Sequence, residues 1–493
     1  MMDNTAINSA LVVALVTLTI SWCANWRTRW KYRHIPGPVP SFPLGNLGTV
    51  RKKMMFRAYA DWQAKYGDFF KIFMVRKAVV VTSDPAVAWQ VTVKEFNKFH
   101  DRFIPNLDKS LKSGIRGDAE RSSMAVARGA YWGSLRAGVP PMFHNNNLTE
   151  YAVMINQAVD ALISNLRPAA KTGELLDIHH QLGRMTMQVI GGAAFGVKFD
   201  TQEKEDGKDV TLVQAAKAFF ANSRPSFWKL TAFLSPKVFM PVLKILSHAF
   251  PTNTDLAMEE ALATVYEASD ALIKNFKKKF YKDVQRPAPW KWFPENPNNP
   301  YKDTVPAESS VISTLLKANN KVTGTNFSHM QIATQTNLML LAGYETTANA
   351  LAFCIYLLGK HPHAQQKLLQ EVDAFKGSLG YDNLSDFPYV QAVLSETLRL
   401  YPPAGALSRF ALEDVQLGPY WLPEGTPVHI DIWSMHHDER WWQDAEVFKP
   451  ERWLGDKNGG DKSGGHAYMP FGAGPRMCIG IKLAREPFSA VHK

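Results

Sequence analysis

The residue of this 493-residue sequence best suited to chemistry is Cys478, near the end of the chain. It lies in the stretch Phe-Gly-Ala-Gly-Pro-Arg-Met-Cys-Ile-Gly, from Phe471 to Gly480. The glycines of this stretch permit turns with positive φ and let a large planar group approach the backbone closely. Arg476 adds a cation close to the cysteine. A thiolate in such a loop is suited to bind a metal, although an ordinary glycine turn before a helix would also use these glycines.

A second group of reactive side chains lies within a long apolar segment. Ser328 opens a capping-box pattern, which predicts a helix that can run to Gly359. Its middle reads Ala-Gly-Tyr-Glu-Thr-Thr, from Ala342 to Thr347. The hydroxyl of Thr346 can bond the carbonyl of Ala342 one turn earlier and bend the helix open. A glycine with two threonines in mid-helix is also a common packing notch, so this pattern alone leaves both interpretations open.

Two further pairs of side chains share helical faces. Trp132 and Arg136 are four residues apart, and Glu396 and Arg399 are three apart. The second pair lies in a helix predicted over residues 389–400, after Pro388 at its first turn. Such pairs occur on many surfaces, where an ion pair contributes well under about 1 kcal/mol. Neither pair indicates a site by itself.

These motifs, in this order along the chain, resemble the cytochrome P450 family of heme-thiolate monooxygenases. The pattern Phe-x-x-Gly-x-Arg-x-Cys-x-Gly carries the resemblance most strongly, and the resemblance covers essentially the whole chain. It implies a mainly α fold with a small β part. It also implies heme b (iron protoporphyrin IX) with the Cys478 thiolate as its axial ligand.

The resemblance implies roles for residues at several positions. Glu345 and Thr346 occupy the catalytic positions that relay protons during oxygen activation. Residues in cofactor-binding positions are Trp132, Arg136, Arg409, Phe471, Gly474, Arg476 and Gly480. A buried structural network behind the heme is expected from Glu396, Arg399 and Arg452. Residues in substrate-pocket positions are Leu341, Ala342, Ala404, Ala406 and Leu407.

The start of the chain predicts a membrane anchor. Between Asp3 and Arg27 there is no charged residue, and a helix of this length reaches about 34 Å, enough to cross a hydrocarbon core. A cleaved signal peptide is the alternative, but it needs a basic start and this one is acidic. Basic residues follow the span and predict a cytosolic catalytic domain. We therefore expect an anchor with its basic flank at residues 1–35, a catalytic domain at 36–493, and an endoplasmic reticulum location with a single pass.

Composition is consistent with this organisation. Apolar residues make up 46% and charged residues 20% of a chain with net charge +11. That charge suits an anionic membrane or an acidic protein partner, and no nucleic-acid-binding signature accompanies it. Three cysteines are too few for a disulfide framework in a chain this long, which indicates a reducing compartment.

Three other segments receive structural predictions. Residues 66–73 and 78–82 are β-rich and predict a small sheet. Residues 105–129 and 278–303 predict long loops, the first over part of the substrate pocket by resemblance. The aromatic-rich region 215–250 is either core packing or a pair of helices whose apolar side enters the bilayer and frames a substrate entrance.

The function expected from the resemblance is insertion of one oxygen atom from O2 into a lipophilic substrate. No flavin or nicotinamide fingerprint is visible, so we expect electrons from an NADPH-dependent cytochrome P450 reductase, with cytochrome b5 as a further possible partner. One alternative is a peroxide isomerase or dehydratase, because residues 401–414 look most like the thromboxane-synthase branch of the family. Another is a membrane-anchored heme protein without turnover. Family members continue beyond the helix begun at Gly480, so we expect this chain, which stops at Lys493, to be C-terminally truncated.

Overall fold

A computed structural model describes most of the chain, and its coverage sets what can be said about the predictions. The described residues are 26–41, 44–75, 77–103, 122–202, 210–222, 228, 240–281, 299–318, 324, 326–376, 386–454 and 465–490. The predicted anchor at residues 4–26 falls almost wholly outside this range. So do most of the loops predicted at 105–129 and 278–303, and the middle of the aromatic-rich region.

Helices dominate the described residues. Up to the middle of the chain they are α1 (Leu47–Lys53), α2 (Met55–Tyr66), α3 (Pro85–Trp89), α4 (Phe96–Phe99), α5 (Gly129–Gly138), α6 (Asn145–Thr172), α7 (Ile178–Phe195), α8 (Val210–Ala221) and α9 (Met240–Ala249). Beyond it they are α10 (Asn253–Phe280), α11 (Val311–Lys317), α12 (His329–Lys360), α13 (Pro362–Ala374), α14 (Pro388–Leu400), α15 (Ile432–His436) and α16 (Ile481–Ala490). A π-helical turn, Gln90–Lys94, joins α3 to α4, and short 3-10 turns lie at Pro140–Phe143, Pro450–Trp453 and Gly465–Ala467.

The strands form two small sheets. They are β1 (Phe69–Met74), β2 (Lys77–Thr82), β3 (Ala406–Phe410), β4 (Val415–Leu417), β5 (Tyr420–Leu422) and β6 (Pro427–Asp431). The larger sheet has the order β1-β2-β6-β3, in which only β2 and β6 run parallel. β4 and β5 form an antiparallel hairpin. The mainly α fold with a small β part is confirmed.

Several element boundaries follow from capping residues and from prolines in the first helical turn. Ser328 accepts a hydrogen bond from the Gln331 amide while the Gln331 side chain bonds back to Ser328, so the predicted capping box is present at the start of α12. Asp84 caps α3 in front of Pro85, where β2 has ended. Pro388 occupies the first turn of α14, as predicted.

Helix α12 runs through the main hydrophobic core and determines where the site lies. It packs against α7, α10 and α14. Its length and composition would let it cross a membrane, but its buried side chains, such as Leu340, Leu351 and Leu358, pack inside the protein. A glycine on α12, Gly343, lets α7 approach closely, because a Cβ there would lie 2.7 Å from Cγ1 of Ile190. The middle of α12 is thereby set beside α7.

Candidate active site

One cavity brings together residues from distant parts of the chain. Helices α5, α7 and α12 and the stretch Phe471–Gly480, hereafter the cysteine loop, form its walls. Side chains lining it include Arg102, Trp132, Arg136, Thr346, Arg476 and Cys478. Most of the remaining lining is apolar, from residues such as Met185, Val189 and Ile190. The cavity therefore combines a thiol, several cations and an apolar wall.

The cysteine loop is held by its own backbone hydrogen bonds. The amide of Cys478 donates to the carbonyl of Phe471 at 2.9 Å, and the amide of Met477 donates to the carbonyl of Gly474 at 2.9 Å. Phe471 itself is half-buried and packs against the main core. These bonds turn the loop back on itself and leave the Cys478 side chain facing the open cavity, whereas Cys354 is buried in the core.

Two of the three glycines in this loop use the positive φ that glycine allows. Gly472 has φ +72° and Gly474 has φ +71°, whereas Gly480 is not among the positive-φ residues. The requirement for glycine is strictest at Gly474, because a Cβ there would lie 1.9 Å from the carbonyl oxygen of Thr92. Gly474 thus locks the loop against the π-helical turn. Gly480 lies beside Phe143 at the start of α16 and lines the cavity.

Opposing effects act on the Cys478 thiol. Burial raises its pKa, while the backbone amide of Gly480 and the nearby Arg136 and Arg102 guanidinium groups lower it. Burial is the largest of these effects, so the pKa of the thiol lies above its ordinary value. The cations alone do not ionise this cysteine. A bound metal cation would supply the charge that stabilises its thiolate.

Arginine side chains form a cationic rim around the cavity, which we call the guanidinium rim and define as Arg102, Arg136, Arg409 and Arg476. The Arg136 side chain donates to the carbonyl of Met477 at 3.1 Å, and Arg476 donates to the carbonyl of Ala127 at 2.7 Å. Arg409 is buried behind the cavity lining and donates to the carbonyl of Ser408.

The guanidinium rim is electrostatically incomplete among the described residues. Burial, which is the largest effect, together with Arg102 and Arg476 lowers the pKa of Arg409 to about 9. The pKa of Arg476 falls to about 10, through burial first and then Arg102. Asp101 is the one carboxylate paired with the rim in the described part of the chain, 3.4 Å from Arg476. Buried like charges at this density call for bound anions.

Unpartnered nitrogen atoms indicate where such anions would bind. Nε of Arg409 and both Nε and Nη1 of Arg476 are buried without a hydrogen-bond partner among the described residues. Buried donors are nearly always paired in folded proteins. Heme b, which the resemblance implies, carries two carboxylates and a flat apolar ring around an iron. It fits this cavity, because thiol, apolar walls and unpartnered guanidinium groups line or border one space.

Trp132 and Arg136 lie on one face of α5, as their spacing predicts, and both line the cavity. The Trp132 ring also contacts the rim, because the Arg476 guanidinium carbon lies 4.2 Å from its centroid. This is a cation–π contact that fixes the orientation of Arg476. The pair predicted from helical spacing is thus continuous with the cysteine loop.

On α12 the two predicted catalytic residues face different ways. The Thr346 hydroxyl donates to the carbonyl of Ala342 at 2.6 Å, so the predicted hydrogen bond is present, and both residues line the cavity. Glu345 does not belong to the described cavity lining. Its carboxylate lies 4.0 Å from Nε2 of His179 on α7, and both side chains are partly exposed. Glu345 therefore points toward the outer side of α12.

Of the predicted substrate-pocket residues, only Ala342 is in the described cavity lining. Leu341 is buried in the main core, on another face of α12. Ala404 is exposed before β3, and Ala406 is half-buried on that strand. Leu407 packs toward the cysteine loop, where its Cδ1 lies 3.3 Å from the position of a Cβ on Gly472.

The three residues of the predicted structural network meet in the described structure. Arg399 binds Glu396 through two hydrogen bonds, of 2.9 Å and 2.8 Å, and Arg452 reaches the same carboxylate at 3.1 Å. The Trp453 indole and the Lys449 amide also donate to it. Glu396 and Arg399 are fully buried, so this is not the solvated surface pair that the spacing alone allows.

Arg102 is a cavity residue that no sequence pattern singled out. It lies after α4, beside Asp101, and lines the cavity near Cys478. Burial lowers its pKa, and the Cys478 sulfur acts in the opposite direction. Adjacent aspartate and arginine residues are common at surfaces, and this pair has no periodic context. The only available signal was its position just before the long predicted loop.

Comparison with known proteins agrees with these features. A family model for cytochrome P450 matches residues 35–489. The chain is 31% identical over 455 residues to cytochrome P450 3A9 of Rattus norvegicus, covering 91% of this chain and 82% of that protein. It is 30% identical over 456 residues to cytochrome P450 3A5 of Homo sapiens, with the same coverage. It is 28% identical over 464 residues to thromboxane-A synthase of Rattus norvegicus, covering 90% and 82%. With its cysteine loop, guanidinium rim and helical fold, the chain therefore belongs to the cytochrome P450 family of heme-thiolate monooxygenases.

Proposed function

We propose that this protein inserts one oxygen atom of O2 into a lipophilic organic substrate, with electrons from an NADPH-dependent cytochrome P450 reductase and cytochrome b5 as an additional donor. The observation that carries the proposal is that the Cys478 thiol and the Thr346 hydroxyl line one cavity. Around them the wall is mostly apolar. An apolar wall suits a lipophilic substrate, because burial of its apolar surface supplies the binding energy.

When bound, heme supplies the iron chemistry that activates dioxygen. Cys478 would hold the heme iron through its thiolate, because among the described cysteines its side chain is the one that lines the cavity. Arg102, Arg136, Arg409 and Arg476 would bind the heme carboxylates, with Trp132 orienting Arg476. Gly480, which lines the cavity without a side chain, would leave room for the ring, and Gly474 holds the loop against the π-helical turn.

Thr346 is proposed to hold a proton at the cavity. Its hydroxyl donates to the Ala342 carbonyl and leaves the hydroxyl oxygen free to accept a hydrogen bond from water. Glu345 is the adjacent acid, and its partly exposed carboxylate near His179 can take up protons from the solvent side of α12. We propose that protons pass from Glu345 to the cavity along water molecules, one of which the Thr346 hydroxyl oxygen positions by accepting its hydrogen bond.

Thr346→Ala tests this proposal in the holoenzyme with its reductase. We expect the variant to bind heme normally but to form about tenfold less product per NADPH consumed, because the hydroxyl that organises the proton is lost. Thr336→Ala is the matched control, since Thr336 is buried on the same helix outside the cavity lining. Equal product per NADPH in Thr346→Ala and the control would reject the proton role of Thr346.

A peroxide isomerase is the second candidate function. The similarity to thromboxane-A synthases of Rattus norvegicus and Sus scrofa, each 28% identical to this chain, favours it. An isomerase would rearrange an organic peroxide without reductase or NADPH. Turnover of a lipid peroxide by the purified holoenzyme alone, with no NADPH-dependent turnover on a panel of lipophiles, would favour this candidate over the monooxygenase.

We also propose a single-pass location in the endoplasmic reticulum membrane, with residues 1–35 as anchor and flank and residues 36–493 as a cytosolic catalytic domain. The uncharged run between Asp3 and Arg27 and the basic residues after it support this orientation. Deletion of residues 1–30 should release the protein from microsomes. The Asn147-Leu148-Thr149 sequence should carry no glycan in the full chain, and a glycan there would place the domain in the lumen.

A further inference from the structure

A histidine outside the cavity connects two parts of the molecule that the heme site needs. His436 is the last residue of α15 and is fully buried. Its Nε2 lies 3.1 Å from the backbone nitrogen of Met469, and its Nδ1 lies 3.0 Å from the carbonyl oxygen of Arg399. One contact is therefore to the chain just before the cysteine loop, and the other is to α14.

The chemistry of these two partners determines the protonation state of the ring. A backbone N–H can only donate and a carbonyl can only accept, so Nε2 must be the acceptor and Nδ1 must carry the proton. Only the neutral Nδ1–H tautomer satisfies both contacts. A charged ring would place an Nε2–H against the N–H of Met469. Burial, which is the largest effect, lowers the pKa of His436 to about 3, although the hydrogen bond to the Arg399 carbonyl acts in the opposite direction.

On the α14 side, His436 is linked to the buried network in both directions. The Arg399 side chain donates to the backbone carbonyl of His436 at 2.7 Å, while the ring of His436 donates to the backbone carbonyl of Arg399. Arg399 is in turn bound to Glu396. The Glu396 carboxylate, which binds both Arg399 and Arg452, therefore also fixes the position of the His436 ring through Arg399.

On the other side, His436 holds Met469, which in turn bonds the start of the cysteine loop. The carbonyl of Met469 accepts a hydrogen bond from the Gly472 amide at 2.9 Å, and the carbonyl of Phe471 accepts one from the Cys478 amide at 2.9 Å. Met469 is 3% exposed, so water does not replace the bond from its amide to His436. An uninterrupted series of bonds thus leads from Glu396 to Cys478.

Aromatic neighbours keep the His436 ring in the plane that these bonds require. The Tyr468 ring stacks on it at a centroid distance of 5.5 Å and an angle of 21°, and Trp442 meets it edge-on at 6.4 Å. Tyr468 is itself tied to α14 by a hydrogen bond from its hydroxyl to the Ser395 carbonyl at 3.1 Å. The ring cannot turn without displacing these neighbours.

We propose that His436 is a positioning residue of the heme site: as the neutral Nδ1–H tautomer, it ties the start of the cysteine loop to the Glu396 network and so sets the position of the Cys478 sulfur. The inference rests on the proposed role of Cys478 as heme ligand. The Glu396 network then helps to set the position of the Cys478 sulfur as well as to stabilise the fold.

Two conservative substitutions separate the two contacts. Glutamine at position 436 places its amide where Nε2 lies and can still accept from Met469. Asparagine reaches only the Nδ1 position and can still donate to Arg399. The control is His437→Gln, at the adjacent histidine, which stacks on Trp433 and whose Nδ1 lies 2.9 Å from the Trp433 carbonyl oxygen. Each holoenzyme is compared by the fraction of thiolate-type absorption in its reduced carbon-monoxide complex, the rate of heme transfer to apomyoglobin and the urea midpoint.

We expect His436→Gln and His437→Gln to match the wild type within about twofold in thiolate fraction and heme transfer. His436→Asn should lose thiolate absorption and transfer heme about tenfold faster, as expected when one buried N–H loses its acceptor. Equal thiolate fractions in the Asn and Gln variants at matched folded fraction would overturn the positioning role while leaving the heme-thiolate assignment standing. Absence of thiolate absorption in the wild type would instead contradict the role of Cys478.

A measurement on the unaltered protein covers the case in which His436→Asn does not fold. Nitrogen-15 NMR of the ring nitrogens, in the diamagnetic reduced carbon-monoxide holoenzyme, reports the tautomer directly, and His436→Gln assigns the signal. We expect a neutral ring protonated at Nδ1. A ring protonated at Nε2 would overturn the proposal, because Nε2 could not then accept from Met469.

Discussion

Two clusters of buried arginine side chains differ in how fully their charges are compensated. In the Glu396 network, both Nε and Nη2 of Arg399 bind Glu396, and Nη1 donates to the carbonyls of His436 and Ala445. In the guanidinium rim, Nε of Arg409 and two nitrogens of Arg476 have no partner in the described structure. The first cluster is satisfied by the folded chain itself. The second is satisfied only when anions are added.

This difference distinguishes the structural support of the fold from the cofactor-binding site. A buried charge without compensation costs several kcal/mol, so a protein retains one only where something else supplies the partner. In this protein the incomplete cluster borders the cavity that Cys478 faces, and the complete one lies behind it. Unsatisfied cations therefore mark the place for a cofactor, and satisfied ones mark the support that holds the cysteine loop.

The largest effect is expected from breaking the complete cluster. Glu396→Gln removes the charge that Arg399 and Arg452 share, and it should lower the free energy of unfolding by about 3–5 kcal/mol, because a buried guanidinium group is left uncompensated. Urea denaturation of the apoprotein measures this. The control is Glu451→Gln, whose half-exposed pair with Lys367 should contribute less than about 1 kcal/mol. A similar small loss in both variants would mean that the network is not a folding element.

Cys478→Ser should remove the ligand while leaving both arginine clusters intact. We expect complete loss of thiolate-type heme absorption, because a serine hydroxyl does not supply a thiolate. Cys354→Ala is the control, since that thiol is buried in the core and burial raises its pKa to about 12. Retention of thiolate absorption in Cys478→Ser, or its loss in Cys354→Ala, would contradict the assignment.

Removing one charge from the guanidinium rim should have a smaller effect on stability. The effect should have opposite signs in the apoprotein and the holoenzyme. Arg102→Gln removes one of several like charges, so the apoprotein should be as stable as the wild type or more stable. Heme affinity should fall about tenfold, the order expected for one charge-assisted hydrogen bond. Arg57→Gln, at an exposed arginine on α2, should change neither quantity. If Arg102→Gln destabilised the apoprotein as much as the holoenzyme, the rim would be structural and the comparison would fail.

The smallest effect concerns pH, and it tests two buried neutral histidines, His436 beside the complete cluster and His429 on β6 beside Tyr59. Burial lowers the pKa of His436 to about 3 and that of His429 to about 4, so below about pH 6.5 the unfolded chain binds two protons that the folded chain excludes. Stability should fall on acidification by about 1.4 kcal/mol per pH unit for each histidine. Asp431 opposes this, because burial raises its pKa to about 7 and the folded state then holds the extra proton.

Asp431→Asn removes the opposing group and still allows residue 431 to cap α15, where the Asp431 carboxylate accepts from the Ser434 amide at 3.2 Å. Between pH 6 and pH 5 the unfolded wild-type chain binds about one more proton than the folded chain, and the unfolded variant binds about two more. The slope of stability against pH should therefore roughly double in the variant. Urea midpoints at several pH values measure it. An unchanged slope would indicate that Asp431 is already ionised when buried.

The sequence predicted those parts of the site that rest on local geometry. The turn at Gly474, the bond from Thr346 to Ala342 and the capping box at Ser328 each involve residues within a few positions of one another. Their geometry follows from residue type and spacing. The contact between Glu396 and Arg399 is also local. Its burial, which makes it a structural contact and not a surface ion pair, was predicted only from the resemblance to the family.

Features that depend on long-range packing could not be predicted from the sequence. Arg102 meets Arg409 and Arg476 because the segment after α4 packs against β3 and the cysteine loop, and no spacing along the chain encodes that. His436 reads as an ordinary helix residue until Met469 is brought within 3.1 Å of its ring. The outward direction of Glu345 also depends on where α7 lies.

The contact between Gly343 and Ile190 has an evolutionary consequence. Because a Cβ at position 343 would lie 2.7 Å from Cγ1 of Ile190, the two positions share one fixed volume across the crossing of α12 and α7. An alanine at position 343 requires a smaller neighbour at position 190, so changes at the two positions should arise together in lineages that descend from this protein. A variant destabilised by Gly343→Ala should be rescued by Ile190→Ala. Residues 343 and 190 together therefore set the width of the cavity beside α12.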